Sequence, residues 1–164
     1  MTYNLSSFKL GQSDSVMSHG NWNGFWEAVY GDISGGLMGI YIKYYTADGS
    51  GVDEAIATRC ANVPTKADRA TISADQWNAN VQNIIAILNE FIGHTSEFTI
   101  SNIRTWTEQL MPNKQRGDKI YTADWNALVD NIQAMLQALQ DDADEKFYYY
   151  SAWKFGDPMP IILY

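Results

Sequence analysis

The sequence predicts an α+β protein, a helical middle flanked by β segments. Two stretches in the middle repeat one capped, amphipathic helix start. Residues 37–45 and 147–155 are dense in aromatic and β-branched side chains, the composition of strands. Gly, Asp and Ser clusters separate these runs as turns do. The expected organisation is a mixed α/β lobe at 1–66, a helical repeat region at 67–142 and an aromatic β tail at 143–164.

A chain of 164 residues and 18.5 kDa is long enough to bury a core of its own. Its formal net charge of -8 disfavours direct nucleic-acid binding, which needs clustered Lys and Arg, and disfavours adhesion to an anionic membrane. No stretch has the roughly 18 apolar residues of a membrane span. Met1 to Leu10 carries neither a basic start nor an apolar run, so no signal peptide is expected, and the product should be made and kept in a reducing cytoplasm unless lysis releases it. The single Cys60 leaves no intramolecular disulfide, so stability must come from packing or association. Six Trp, ten Tyr and six Phe supply rings that each bury about 150–250 Å². Such rings are enriched between subunits.

Along the chain, Trp22-Asn23-Gly24-Phe25-Trp26-Glu27-Ala28-Val29 comes first, with Trp22, Phe25, Trp26 and Val29 at helical spacing. Residues 37–45 read as a strand, 47–51 as a turn, and 52–60 as a short helix with Asp53 and Glu54 near its start. Ser73-Ala74-Asp75-Gln76-Trp77-Asn78-Ala79-Asn80-Val81 opens a helix expected over 74–92. Ser73 is its N-cap and Gln76 has capping-box spacing from it. Residues 100–111 read as another helix, with Ile103, Trp106 and Leu110 on one face, ended by Pro112. Thr122-Ala123-Asp124-Trp125-Asn126-Ala127-Leu128-Val129 opens a helix expected over 123–140, with Thr122 as cap. Asp141-Asp142-Ala143-Asp144-Glu145 is an acidic helix end. The tail reads as a strand over 147–155, a turn at 156–158, and an apolar end, Ile161-Ile162-Leu163-Tyr164, that must be covered by this chain or by a neighbour.

Aligning Trp77 with Trp125 gives an offset of 48, at which Trp, Asn, Ala, Val, Asn, Ile, Ala and Leu coincide. Gln76 then reads as one extra residue before the first Trp. Repetition at this period marks stacked or arrayed units, and the segment at Trp22 is a degenerate third copy. Asn80 interrupts the apolar stripe as a register-fixing polar residue does, or as a solvated edge does.

The segment Gly117 to Ile132, with its capped Thr-Ala-Asp-Trp-Asn-Ala-Leu-Val start, resembles a motif of tailed-phage virion proteins: fibres, head fibres and neck appendages. Residues 72–84 match it more loosely. In that family the motif precedes short oligomeric helices, commonly trimeric. The resemblance covers about a quarter of the chain. It implies a structural protein of the virion that associates with itself and with other virion proteins. On this reading the assembly interface is Trp77, Ile84, Phe91, Trp125, Leu128, Ile132, Met135 and Leu139, with Ile161, Ile162 and Leu163 of the tail; the same helical stripes read equally as packing of the helices on each other within one chain.

Catalytic groups are sparse. His19 and His94 have no ligand-spaced companion. Cys60 follows Arg59, which can lower a thiol pKa, but a buried structural role is the simpler reading. Asp48-Gly49-Ser50-Gly51-Val52-Asp53 is one incomplete copy of a calcium-turn pattern. No enzyme activity, metal or cofactor is therefore expected. The alternative function is a carbohydrate-binding or host-recognition module, in which Trp22, Trp26, Trp106 and the Tyr clusters would stack on sugars. Exposure separates the two, because sugar binding needs open rings and assembly needs covered ones.

Overall fold

A computed structural model describes residues 2–11, 17–48, 54–61, 63–67, 71–91 and 114–154. Among these the chain is helical and contains no sheet, which corrects the α+β expectation. A short 3-10 turn, Ser6–Phe8, precedes α1 (His19–Tyr30), α2 (Gly36–Asp48), α3 (Glu54–Ala61), α4 (Ala74–Phe91) and α5 (Thr122–Lys154). The extended pairing among described residues is one isolated bridge, Asp32 to Gly35, inside the α1–α2 turn.

Residues 37–45, expected as a strand, lie in α2. Leu37, Ile40, Tyr41, Tyr44 and Tyr45 are buried hydrophobic residues of that helix, at i, i+3, i+4, i+7 and i+8. That helical period outweighs the β propensity of the individual side chains, because the stripe buries against α5. The turn into α2 requires glycine. Gly31 and Gly36 have φ of 64° and 69°, and a Cβ on Gly31 would lie 2.0 Å from the Gly35 carbonyl oxygen.

Residues 147–154, expected as a strand, continue α5. The acidic run before them does not end the helix, since three of its four carboxylates are partnered. Gln137 Nε2 donates to Asp141 at 2.8 Å, the Tyr44 hydroxyl donates to the buried Asp142 at 2.8 Å, and Lys43 pairs with Asp144. Residue 155, the expected turn at 156–158 and the apolar end with Ile161, Ile162 and Leu163 lie outside the described residues, as does the expected helix at 100–111.

The helices expected over 52–60, 74–92 and 123–140 are present as α3, α4 and the first part of α5. One hydrophobic cluster runs from Tyr3 to Ala143, crossing the boundaries expected at 66 and 142. Its centre is aromatic: Trp22 stacks on Trp125 at 5.9 Å, and Phe25 meets Trp125 edge-on at 4.9 Å. Trp26 of α1, Val81 and Ile84 of α4, and Leu128 and Ile132 of α5 surround one small apolar void. The three helices headed by the Trp-Asn motif therefore meet inside one molecule.

Candidate functional site

The motif is a local device, and it is built the same way three times. In each copy the tryptophan N–H closes the first helical hydrogen bond, to the carbonyl of the residue four before it: Trp22 to Ser18, Trp77 to Ser73, Trp125 to Tyr121. The Ser18 hydroxyl accepts from Asn21 N at 3.0 Å. Ser73 and Gln76 form a reciprocal capping box, each accepting from the other's backbone N–H at 3.2 Å. In the third copy Thr122 lies one residue inside the helix and Tyr121 takes the cap position. Tyrosine lacks a capping side chain, and Asp124 Oδ2 supplies the half of the box that reaches back, accepting from Tyr121 N at 2.9 Å. Gln76 is therefore no insertion. It is the counterpart of Asp124, and the copies stay in register at 48 residues throughout. Met17, Ile72 and Ile120 precede the three caps and pack against the core, as a hydrophobic staple does.

The asparagine after each tryptophan does something the sequence did not disclose. A primary amide carries both a donor and an acceptor, so it can pair with the N–H and C=O of one residue at once. Asn23 pairs so with Lys66, at 2.7 and 3.0 Å. Asn78 pairs with Lys114, at 2.8 Å for both bonds. Asn126 pairs with Leu10, at 2.8 and 2.9 Å. Each clipped residue lies in the segment that leads into the next Trp-Asn helix: Lys66 before α4, Lys114 before α5, Leu10 before α1. The clips thus form a closed cycle, α1 to α4, α4 to α5, and α5 back to α1.

The clipped lysines are also tied to their own helix starts. Lys114 Nζ lies 2.8 Å from Asp124 Oδ2, and Lys66 Nζ pairs with Gln76. Partial burial pushes the Asp124 carboxyl up, but the bond from Lys114 and the Tyr121 N–H together hold it below the usual carboxylate range. The signal for these partners was present in the chain. Val63-Pro64-Thr65-Lys66 and Met111-Pro112-Asn113-Lys114 are themselves related by the 48-residue offset, which extends the repeat ten or more residues upstream of the tryptophan.

The third clip is part of a longer strap. Residues 2–11 run antiparallel to α5, held by side chains of that helix. Gln137 Oε1 accepts from Tyr3 N at 2.9 Å and Gln133 Oε1 from Leu5 N at 2.6 Å. Trp125 Nε1 donates to the Phe8 carbonyl at 2.8 Å, and Lys9 Nζ lies 2.6 Å from Asp130 Oδ1. Tyr3 and Leu5 are buried, and the Tyr3 hydroxyl accepts from Gly36 N while donating to Gln140.

Of the expected interface residues, Trp77, Ile84, Phe91, Trp125, Leu128, Ile132, Met135 and Leu139 are each no more than 1% exposed, covered by this chain's own helices. Asn80 is half-buried, at the stripe position that Phe25 holds in α1 and Leu128 in α5. Trp22, Trp26, Trp77 and Trp125 are equally covered, so none offers a ring face to a sugar. Trp106 lies outside the described residues.

His19 is exposed as the first residue of α1, and His94 lies outside the described residues. Cys60 is buried, which pushes its thiol up to about 12. Among the described residues no group of three or more His, Cys, Asp or Glu is placed to hold a metal ion. None of the described helices is long and apolar enough to cross a membrane. No family model, no curated protein and no solved structure matches the chain.

Proposed function

We propose that this chain is a non-catalytic structural component of a tailed-phage particle, a fibre, neck or capsid-attached appendage that associates with itself and docks on other virion proteins. The observation that carries the reading is the cycle of three Trp-Asn clips. A helix start that resembles oligomeric elements of virion proteins occurs here three times in one chain. The three copies close on each other as three subunits of a cyclic oligomer would. Repetition of one supersecondary unit, with each copy holding the next, is the economy of a scaffold.

The test is to purify particles from cells producing the virus that encodes this chain, then probe them by mass spectrometry and by gold-labelled antibody. The chain is expected to co-purify in fixed stoichiometry and to label one appendage. A chain left wholly in the soluble lysate, with particles free of it, contradicts the reading. The carbohydrate-binding alternative is not adopted, because Trp22, Trp26, Trp77 and Trp125 are all covered.

A further inference from the structure

The strap raises a question that the other two clips do not. Asn23 and Asn78 reach segments 43 and 36 residues away, whereas Asn126 reaches one 116 residues away, ahead of every described α-helix. Residues 2–11 can leave α5 without unravelling any of the α-helices. The side chains that hold them mostly recognise backbone: Gln133, Gln137 and Asn126 contact N–H and C=O groups of the strap, and the Trp125 indole contacts a carbonyl. An identical strap from another molecule would satisfy the same partners with no new interface, which is the condition for exchange of an element between copies.

We propose that the α5 face formed by Trp125, Asn126, Asp130, Gln133 and Gln137 is a docking site for an extended segment, filled within one chain by residues 2–11 and filled between chains by the same residues of a second copy. This deepens the self-association part of the function above and rests on that reading for its purpose. A tethered strap has an effective concentration of about millimolar, so dilute protein stays closed. Crowding of copies on an assembling particle shifts the balance towards exchange. The clip cycle then closes between molecules, with the strap of one copy on the α5 of the next.

The Lys9–Asp130 pair allows a test on the unaltered full chain. Its two groups are partly exposed and 2.6 Å apart, close enough for a carbodiimide to join them as an amide without a spacer. Equal amounts of 14N- and 15N-labelled chain are incubated together over a concentration series, cross-linked, digested and read by mass spectrometry. Exchange predicts Lys9–Asp130 cross-links carrying one label on each side, rising with concentration towards about half of the total. The same experiment on Asn126→Ala with Gln133→Ala should lose most of those mixed cross-links. Cross-links that carry a single label at every concentration overturn the exchange, as does failure of Lys9 to join Asp130 at all. Single-label cross-links from a chain still found in purified particles remove the exchange and leave the virion reading standing. Mixed cross-links from a chain absent from particles support the exchange and remove the virion reading.

Discussion

Asn126 and Leu10 are joined by two hydrogen bonds, 2.8 and 2.9 Å long, across 116 residues of chain. That pair closes a cycle whose other two members are Asn23 with Lys66 and Asn78 with Lys114. Each asparagine holds a backbone that would otherwise have to find partners elsewhere. Most of the predictions below follow from the cycle and from the helix starts that carry it.

Replacing Asn78 by Ala removes two side-chain-to-backbone bonds and leaves the Lys114 N–H and C=O to find water. At about 0.5–1.5 kcal/mol for each bond, the loss should be about 1–3 kcal/mol, read as a lower urea midpoint with unchanged slope. Asn78→Asp should cost a similar amount, because a carboxylate accepts from Lys114 N but cannot donate to its carbonyl. An Asn78→Asp chain as stable as the parent would show that the amide donor does not matter.

Trp125 both fills the aromatic centre and donates to Phe8. Trp125→Phe should keep much of the packing and lose the strap bond, so deuterium uptake at Tyr3 and Leu5 should rise more than uptake in α4. Trp125→Ala should cost about 3–5 kcal/mol.

Asn80 holds a position where α1 has Phe25 and α5 has Leu128. If that half-buried site serves only this chain's own core, Asn80→Leu should raise stability by about 0.5–2 kcal/mol in thermal unfolding. A loss of stability would mean that the amide has a polar partner that leucine cannot replace.

Acid should loosen the molecule at two carboxylates. Partial burial raises the Asp144 carboxyl, but bonds from Lys43 and Gln140 bring it below its ordinary value, as Lys114 and Tyr121 do for Asp124. A carboxyl held low in the folded chain stabilises it at pH above the unfolded value of 3.8. That contribution disappears as pH falls through the lower folded value. Urea midpoints should therefore drop below pH 4, less steeply in Asp124→Asn, which keeps an acceptor for Tyr121 N but has no charge to titrate.

Cys60 is buried among apolar neighbours and its thiol is pushed up to about 12, so it should not react with a thiol reagent at pH 8 in the native state. Its labelling rate should follow unfolding, rising with urea in step with the loss of helix.

The helices that carry the clips were legible because cap, staple and stripe agree within a dozen residues. Ile72, Ser73, Gln76 and Trp77 announce α4 without any knowledge of its neighbours. Residues 37–45 were misread because tyrosine and isoleucine favour strands locally, while the period of Leu37, Ile40, Tyr41, Tyr44 and Tyr45 is helical. Packing on α5 decided the conflict. The continuation of α5 through Asp141 to Glu145 was hidden for a related reason: the partners that make those acids tolerable, Lys43 and Tyr44, lie about 100 residues away in sequence. The clips were illegible in kind. An asparagine after a tryptophan announces no target, and its partners are backbone groups that every residue possesses. Only the second lysine–proline pair, Pro112 and Lys114 matching Pro64 and Lys66, hinted that the repeat began upstream.

Three asparagines hold three leading segments in a closed cycle. Amide hydrogen exchange at Leu10, Lys66 and Lys114 tests it most directly, because all three lie outside helices, where a free N–H exchanges at the rate of unstructured chain. Each should be slowed by about a hundredfold or more, and Asn126→Ala, Asn23→Ala and Asn78→Ala should release Leu10, Lys66 and Lys114 respectively. Unprotected amides at those positions in the intact, folded chain would contradict it.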